Sequence, residues 1–149
     1  MKNKLLSLCL LPFAFAVIHA AEPTHDNLRY SKKYERSVLD LWTIKSSKPV
    51  PLVVYFHGGG FNHGDKTMFN KNQFLQFHAK RVAFASVNYP FLVHAQRDYF
   101  KIMDHCAEAI RFLQKNAKKY NIDKKRISVM GASAGALISC HPVSYTHLR

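Results

Sequence analysis

Arg126-Ile-Ser-Val-Met130, then Gly131-Ala-Ser-Ala-Gly135, then Ala136-Leu-Ile138 is the stretch whose reading decides the fold. The first part reads as a short strand, the small residues as a turn, and the continuation as the start of a helix. The turn has the spacing G-x-S-x-G. Such a turn is so sharp that the backbone of its serine is strained, and only small neighbours fit where strand and helix nearly touch. That geometry lifts the hydroxyl of Ser133 above the sheet, with a helix N-terminus behind it that favours developing negative charge. Ser133 is therefore the candidate nucleophile, and Gly131 and Gly135 are the small residues the turn demands. A small-residue connection of purely structural use is the competing reading of the pentapeptide taken alone.

Upstream, Pro51-Leu-Val-Val-Tyr-Phe56 is a continuous apolar run bounded by Pro51 and by Gly58-Gly-Gly60, as expected of a strand buried on both faces. His57-Gly-Gly-Gly60 leaves that strand. Consecutive glycines let a backbone approach a substrate closely and turn its N–H groups inward. Together with the N–H of Ala134, this loop would bind the oxyanion of a tetrahedral intermediate. A structural glycine turn is one alternative. A phosphate-cradling loop is another, but it would require Gly-Lys-Ser/Thr opening a helix, which is absent.

The remaining pattern alternates strands and helices. Ser37 to Trp42 alternates apolar and polar residues and reads as a half-exposed strand at a sheet edge. Met68 to Lys80 reads as a helix, and Val82 to Val87 as a second buried strand stopped by Asn88-Tyr89-Pro90. Asp98 to Tyr120 is the clearest helix, with Phe100, Met103, Ala107, Ile110 and Leu113 on one face for core packing and lysines at its far end. A turn is expected over Asn121 to Lys125. This order predicts an α/β fold: a doubly wound, mostly parallel sheet with helices on both faces. In such sheets chemistry collects where strands hand over to helices, the position of both glycine-rich segments.

Val53-Val-Tyr-Phe-His-Gly-Gly-Gly-Phe61, Gly64-Asp-Lys66, Val87-Asn-Tyr89, Asp104-His-Cys106 with Ala109-Ile-Arg-Phe-Leu113, and Ile122-Asp123 leading to Gly131-Ala-Ser-Ala-Gly135 form one long pattern. It resembles the esterase/lipase branch of the α/β hydrolases, in the group related to hormone-sensitive lipase and bacterial carbohydrate esterases, from about Arg29 to Ser139. The resemblance implies Ser133 as nucleophile, with Gly59, Gly60 and Ala134 as the oxyanion hole. His57 then holds the loop in shape beside Gly58 and is not a base. The implied activity is that of a serine carboxylesterase, using no metal and no cofactor. Its partner is an acyl ester, short-chain or carbohydrate-linked, of a small molecule or a polysaccharide.

The pattern departs from that family in one respect. The fold orders its triad as Ser, then Asp or Glu, then His, and no Asp or Glu lies between Ala134 and Arg149. Asp65, Asp104, His94 and His105 precede the serine and lie on the wrong loops. His141 and His147 follow it, at and inside a segment read below as foreign. The triad acid and His are expected beyond this chain, which reads as an α/β hydrolase truncated after the nucleophile elbow. Two other readings stay open: a prolyl-oligopeptidase-type serine peptidase, against which Ala134 stands where an aromatic residue is more usual, and a non-catalytic binding protein of the same fold.

The ends read differently from the middle. Lys2 and Lys4, the apolar run Leu5 to Ile18, and His19-Ala20-Ala21 have the layout of a signal peptide over residues 1–20, cut near Ala20 for export. The run is short for a membrane span and is interrupted by Pro12 and His19, so no stable membrane anchor is expected. Val143-Ser-Tyr-Thr-His-Leu-Arg149 matches the translation of a transposase-based sequencing adaptor, which assigns residues 142–149 to that source. Residues 21–141 are then the N-terminal part of an α/β-hydrolase domain. The net charge of +13, from 22 basic and 9 acidic residues, is concentrated in Lys115 to Arg126. There it complements a helix C-terminus and stays solvated. No nucleic-acid motif accompanies it, so no nucleic-acid partner is expected. Cys106 and Cys140, the cysteines left after cleavage, form no disulfide framework or metal spacing and are expected as buried free thiols.

The encoding DNA is expected to carry the transposon mosaic end, with codon 142 finishing in CT. Amplifying genomic DNA across the position checks this, and a genomic product still encoding Val-Ser-Tyr-Thr-His-Leu-Arg would refute it.

Overall fold

Five strands form one mixed sheet: β1 (His25–Arg29), β2 (Val38–Trp42), β3 (Val50–Phe56), β4 (Ala83–Val87) and β5 (Ile122–Gly131). Their spatial order is β1-β2-β4-β3-β5. The computed structural model describes residues 22–141, so the expected signal peptide over residues 1–20 and the expected adaptor-derived tail over residues 142–149 lie outside the described residues. β3 runs parallel to β4 on one side and to β5 on the other, while β1 and β2 join antiparallel at the β4 side. Three helices follow the parallel strands: α1 (Lys71–Ala79), α2 (Tyr99–Lys115) and α3 (Ala134–Cys140).

The period-two alternation of β3 divides its side chains between two cores. Leu52, Val54 and Phe56 point to one face, where they meet Ile102, Cys106 and Ile110 of α2 and Ile138 of α3. Val53 and Tyr55 point to the other, with Trp42, Phe84 and Phe74 of α1. Both faces of the central strands are covered, which is why β3 and β4 read as unbroken apolar runs.

The helix boundaries follow from caps. The side chain of Asn70 accepts a hydrogen bond from Gln73 N at 3.0 Å, so α1 starts after it and not at Met68. Asp98 accepts from Phe100 N and Lys101 N and starts α2, which stops at Lys115. Phe100 does not join the expected core face. It is 67% exposed, whereas Ala107, Ile110 and Leu113 are buried as expected and Ile102, Cys106 and Ala109 are buried with them.

Two sheet expectations change. Ser37–Trp42 does not supply an edge strand: β2 lies between β1 and β4, with Leu39 and Leu41 fully buried. The edge is β1, whose polar sequence His-Asp-Asn-Leu-Arg carries no alternation to read. β5 starts at Ile122, where a turn was expected. Its register against β3 jumps from Val50↔Ile122 to Leu52↔Ile127, so the expected turn is a bulge within the strand. Among the cysteines, Cys106 is a buried free thiol as expected, but Cys140 is free and exposed at the end of α3.

One buried polar contact ties β2 to α2. The hydroxyl of Ser37, fully buried, lies 2.8 Å from Nε2 of His105, and His105 Nδ1 lies 3.1 Å from the Glu108 carboxylate. Burial lowers the pKa of His105 against the opposing pull of Glu108, so the ring is held neutral. Ser37→Ala leaves that buried nitrogen without its partner. It is expected to lower the unfolding free energy of the complete gene product by about 1–3 kcal/mol. Urea denaturation checks this; an unchanged midpoint would contradict it.

Candidate active site

Ser133 stands on the turn between β5 and α3 with φ 52° and ψ −117°, in the left-handed half of conformational space that non-glycine residues rarely enter. Its side chain is exposed and makes no capping hydrogen bond to the helix. The crowding around it explains the glycines. A Cβ on Gly135 would lie 1.9 Å from the carbonyl oxygen of Phe56, and one on Gly131 would lie 2.3 Å from the backbone of Gly135. The end of β3, the end of β5 and the first turn of α3 are therefore in backbone contact, with Ala132 N donating to Phe56 O at 3.2 Å.

That contact sets the glycine loop beside the serine. A Cβ on Gly58 would lie 3.3 Å from Cβ of Ser133 and 3.1 Å from the carbonyl oxygen of Ala132. Gly59 and Gly60 both have positive φ, 118° and 57°, and the turn they make is closed by Asn62 N and His63 N donating to Gly59 O. A side chain at Gly59 would strike the His63 carbonyl at 2.0 Å, whereas the same direction at Gly60 is open. Among the described residues, the N–H groups of Gly59, Gly60 and Ala134 donate to no carbonyl in these turns. These three N–H groups therefore have no backbone acceptor in the turns on either side of Ser133.

His57 sits inside this loop, fully buried. Its ring stacks on Tyr89 at 4.4 Å, its Nδ1 lies 2.7 Å from Gly58 O, and the Tyr89 hydroxyl donates to its carbonyl at 2.7 Å. Burial lowers its pKa, with the Gly58 hydrogen bond opposing. The imidazole is thus stacked and hydrogen-bonded within the loop.

The loop is held from below by a polar cluster that sequence reading did not find. Asn88 Oδ1 accepts from Lys66 N at 2.7 Å and from Arg36 Nη2 at 3.1 Å, while its Nδ2 donates to Asp65 at 2.8 Å. Arg36 also donates to Gly64 O and Tyr89 O, and its guanidinium lies 3.9 Å over the Phe91 ring. Lys66 Nζ and Asp40 form a nearly buried ion pair at 2.6 Å. Burial pushes the Asp65 carboxyl up, but hydrogen bonds from Asn88 and Thr67 outweigh it and hold the pKa below its ordinary value. The available signal was Asp40 itself, a carboxylate in the apolar run Val38-Leu-Asp-Leu-Trp42.

The other candidates lie elsewhere. Asp65 belongs to the cluster just described, His105 is buried under α2, and Asp104 is exposed on that helix. His94 packs on Phe91, and His141 lies 5.8 Å from the Phe100 ring. Among the described residues, no imidazole or carboxylate is hydrogen-bonded to Ser133.

A mixed sheet with this helix order and a strand–turn–helix elbow defines an α/β-hydrolase fold. Residues 39–142 match the BD-FAE family, and the chain belongs to it. Carboxylesterase NlhH of Mycobacterium tuberculosis is 31% identical over 90 residues, covering 60% of this chain and 28% of the relative. Among solved structures, an acetyl ester-xyloside bifunctional hydrolase from Caldicellulosiruptor lactoaceticus aligns with TM-score 0.59 and 27% identity, over 68% of this chain and 36% of that one. A truncated carbohydrate esterase from gut microbiota shares the fold with TM-score 0.68 at 23% identity, covering 80% of this chain and 45% of the other. The chain spans less than half the length of each of these.

The glycines make a paired prediction. Gly135→Ala places a methyl group inside the Phe56 carbonyl and is expected to cost more than about 3 kcal/mol or to abolish folding. Gly60→Ala meets open space and carries only the positive-φ penalty, roughly 1–2 kcal/mol. Thermal melts of the two variants check the order, and equal losses would contradict it.

Proposed function

We propose that the protein is an exported serine carboxylesterase in which Ser133 attacks the carbonyl carbon of a short-chain or carbohydrate-linked acyl ester. The observation that carries this reading is the exposed, strained Ser133 set against the glycine loop, where a Cβ on Gly58 would lie 3.3 Å from that of Ser133. In the proposed reaction the Ser133 hydroxyl passes its proton to a base, and Oγ bonds to the acyl carbon. The resulting oxyanion is held by the N–H groups of Gly59, Gly60 and Ala134. Collapse expels the alcohol, and water then releases the acid from the acyl-enzyme. The base and its carboxylate are supplied by residues C-terminal to those described, in the order this fold uses. Export follows cleavage near Ala20.

Membership of the BD-FAE family supports ester hydrolysis. The relatives named above, a carboxylesterase and an acetyl ester-xyloside hydrolase, support a small acyl group and a sugar-borne ester.

The complete gene product is expected to hydrolyse aryl acetates and sugar acetates near neutral pH without added metal. Ser133→Ala should lower kcat by about three orders of magnitude or more, the scale seen when a triad nucleophile is removed. Retention of wild-type turnover in that variant would show that Ser133 is not the nucleophile.

A further inference from the structure

A groove of about 380 Å³ opens beside the glycine loop, lined by Asn62, Leu92, Val93, Arg97 and Tyr99. Direct contacts join it to the candidate site. Asn62 Nδ2 donates to Gly60 O at 3.0 Å, Leu92 N donates to Phe61 O at 2.9 Å, and the Tyr99 ring meets Phe61 edge-on at 5.2 Å. The groove wall is thus continuous with the glycine loop, whose Gly58 packs against Ser133.

The chemistry of the wall is mixed. Tyr99 is 49% exposed and Val93 78% exposed, so an aromatic ring and an aliphatic side chain face water together. Arg97 is exposed, and its guanidinium has no hydrogen bond or ion pair among the described residues. The adjacent carboxylate of Asp98 accepts from Phe100 N and Lys101 N at the start of α2 and makes no ion pair with Arg97. Asn62 uses its amide N–H on Gly60, which leaves its carbonyl oxygen as an acceptor. Gln96 and Arg97 both have left-handed backbones, φ 56° and 59°, and Arg97 N is tied to Leu92 O at 2.8 Å. Strain at two successive non-glycine residues costs on the order of 1–3 kcal/mol each and persists only where the surroundings fix it. Here it fixes the segment from which the arginine projects.

An apolar aromatic wall with one fork of donors and one acceptor suits a ligand that is apolar on its faces and hydroxylated at its edges. A pyranose ring has that character. A long acyl chain does not, because it would strip water from Arg97 and Asn62 without replacing their hydrogen bonds. We propose that this groove is a subsite for a pyranose ring in the alcohol half of the ester. The ring lies against Tyr99 and Val93, with its hydroxyl groups hydrogen-bonded by Arg97 and Asn62. This assignment rests on the reading of Ser133 as the nucleophile.

The test compares kcat/KM for an acetylated xylo-oligosaccharide with kcat/KM for 4-nitrophenyl acetate, using the complete gene product. Arg97→Ala and Tyr99→Ala should each lower the ratio of the two about tenfold, mainly through KM for the sugar ester. Tyr99→Phe keeps the ring and should hold the ratio within about twofold of wild type, as should Lys124→Ala at a remote exposed position. Arg97 is exposed and outside the core, so its variant remains informative if Tyr99→Ala fails to fold. An active wild type whose ratio is unmoved by Arg97→Ala overturns the subsite and leaves the nucleophile assignment standing. A wild type that hydrolyses neither ester overturns the nucleophile reading and the subsite with it.

Discussion

The backbone contact between Phe56 and Gly135 governs the geometry of the whole site. With a Cβ on Gly135 only 1.9 Å from the Phe56 carbonyl, no side chain can separate the end of β3 from the first turn of α3. Each of the two neighbouring strands leads into one of the two motifs. β3 runs into the glycine loop, and β5 runs into Ser133. Pressing them together sets the glycine loop against the elbow that carries Ser133. The left-handed conformation of Ser133 is an outcome of the same squeeze, since a strained residue persists only where its surroundings over-determine it.

Above that contact the loop would be free to open if backbone crowding were its only restraint. The polar cluster beneath it supplies the second. Arg36 precedes β2, Asp40 lies on β2, and Asn88 follows β4, so the antiparallel side of the sheet reaches under the loop that leaves β3. A buried ion pair such as Lys66–Asp40 contributes little net stability after desolvation is counted. Its effect is to favour the loop conformation in which the Lys66 and Asp40 charges are paired. Stacking of His57 on Tyr89 adds shape from the inside. Preorganised donors of this kind do not have to move as charge develops, which is where electrostatic catalysis obtains its advantage.

Strong periodicity was readable in the sequence, and compensation between distant residues was not. The apolar runs that became β3 and β4 announced themselves because both faces are covered, and the glycines of the elbow and loop because the turns they make admit nothing else. β1 was silent: a polar five-residue edge strand has no alternation to detect. β2 was placed at the edge because Asp40 broke its apolar run, yet that carboxylate is buried by its pairing with Lys66, a partner 26 residues away in sequence. The bulge that opens β5 resembled a turn for the same reason, since local sequence does not reveal the register of a neighbouring strand. The site behaves likewise. The proposed site residues sit in motifs, and Asn88 lies in the Val87-Asn-Tyr89 run of the family pattern, but its bonds to Arg36, Asp65 and Lys66 emerge only once the chain is folded.

The account stands on Ser133 being the atom source of the acyl bond. Treating the complete gene product with a fluorophosphonate, then digesting it and mapping the adduct by mass spectrometry, addresses that bond without any assumption about substrate. The account predicts a single covalent phosphonyl group on the peptide containing Ser133, with loss of esterase activity in step with labelling. An active enzyme that remains unlabelled, or one labelled and inhibited at another residue, would contradict it.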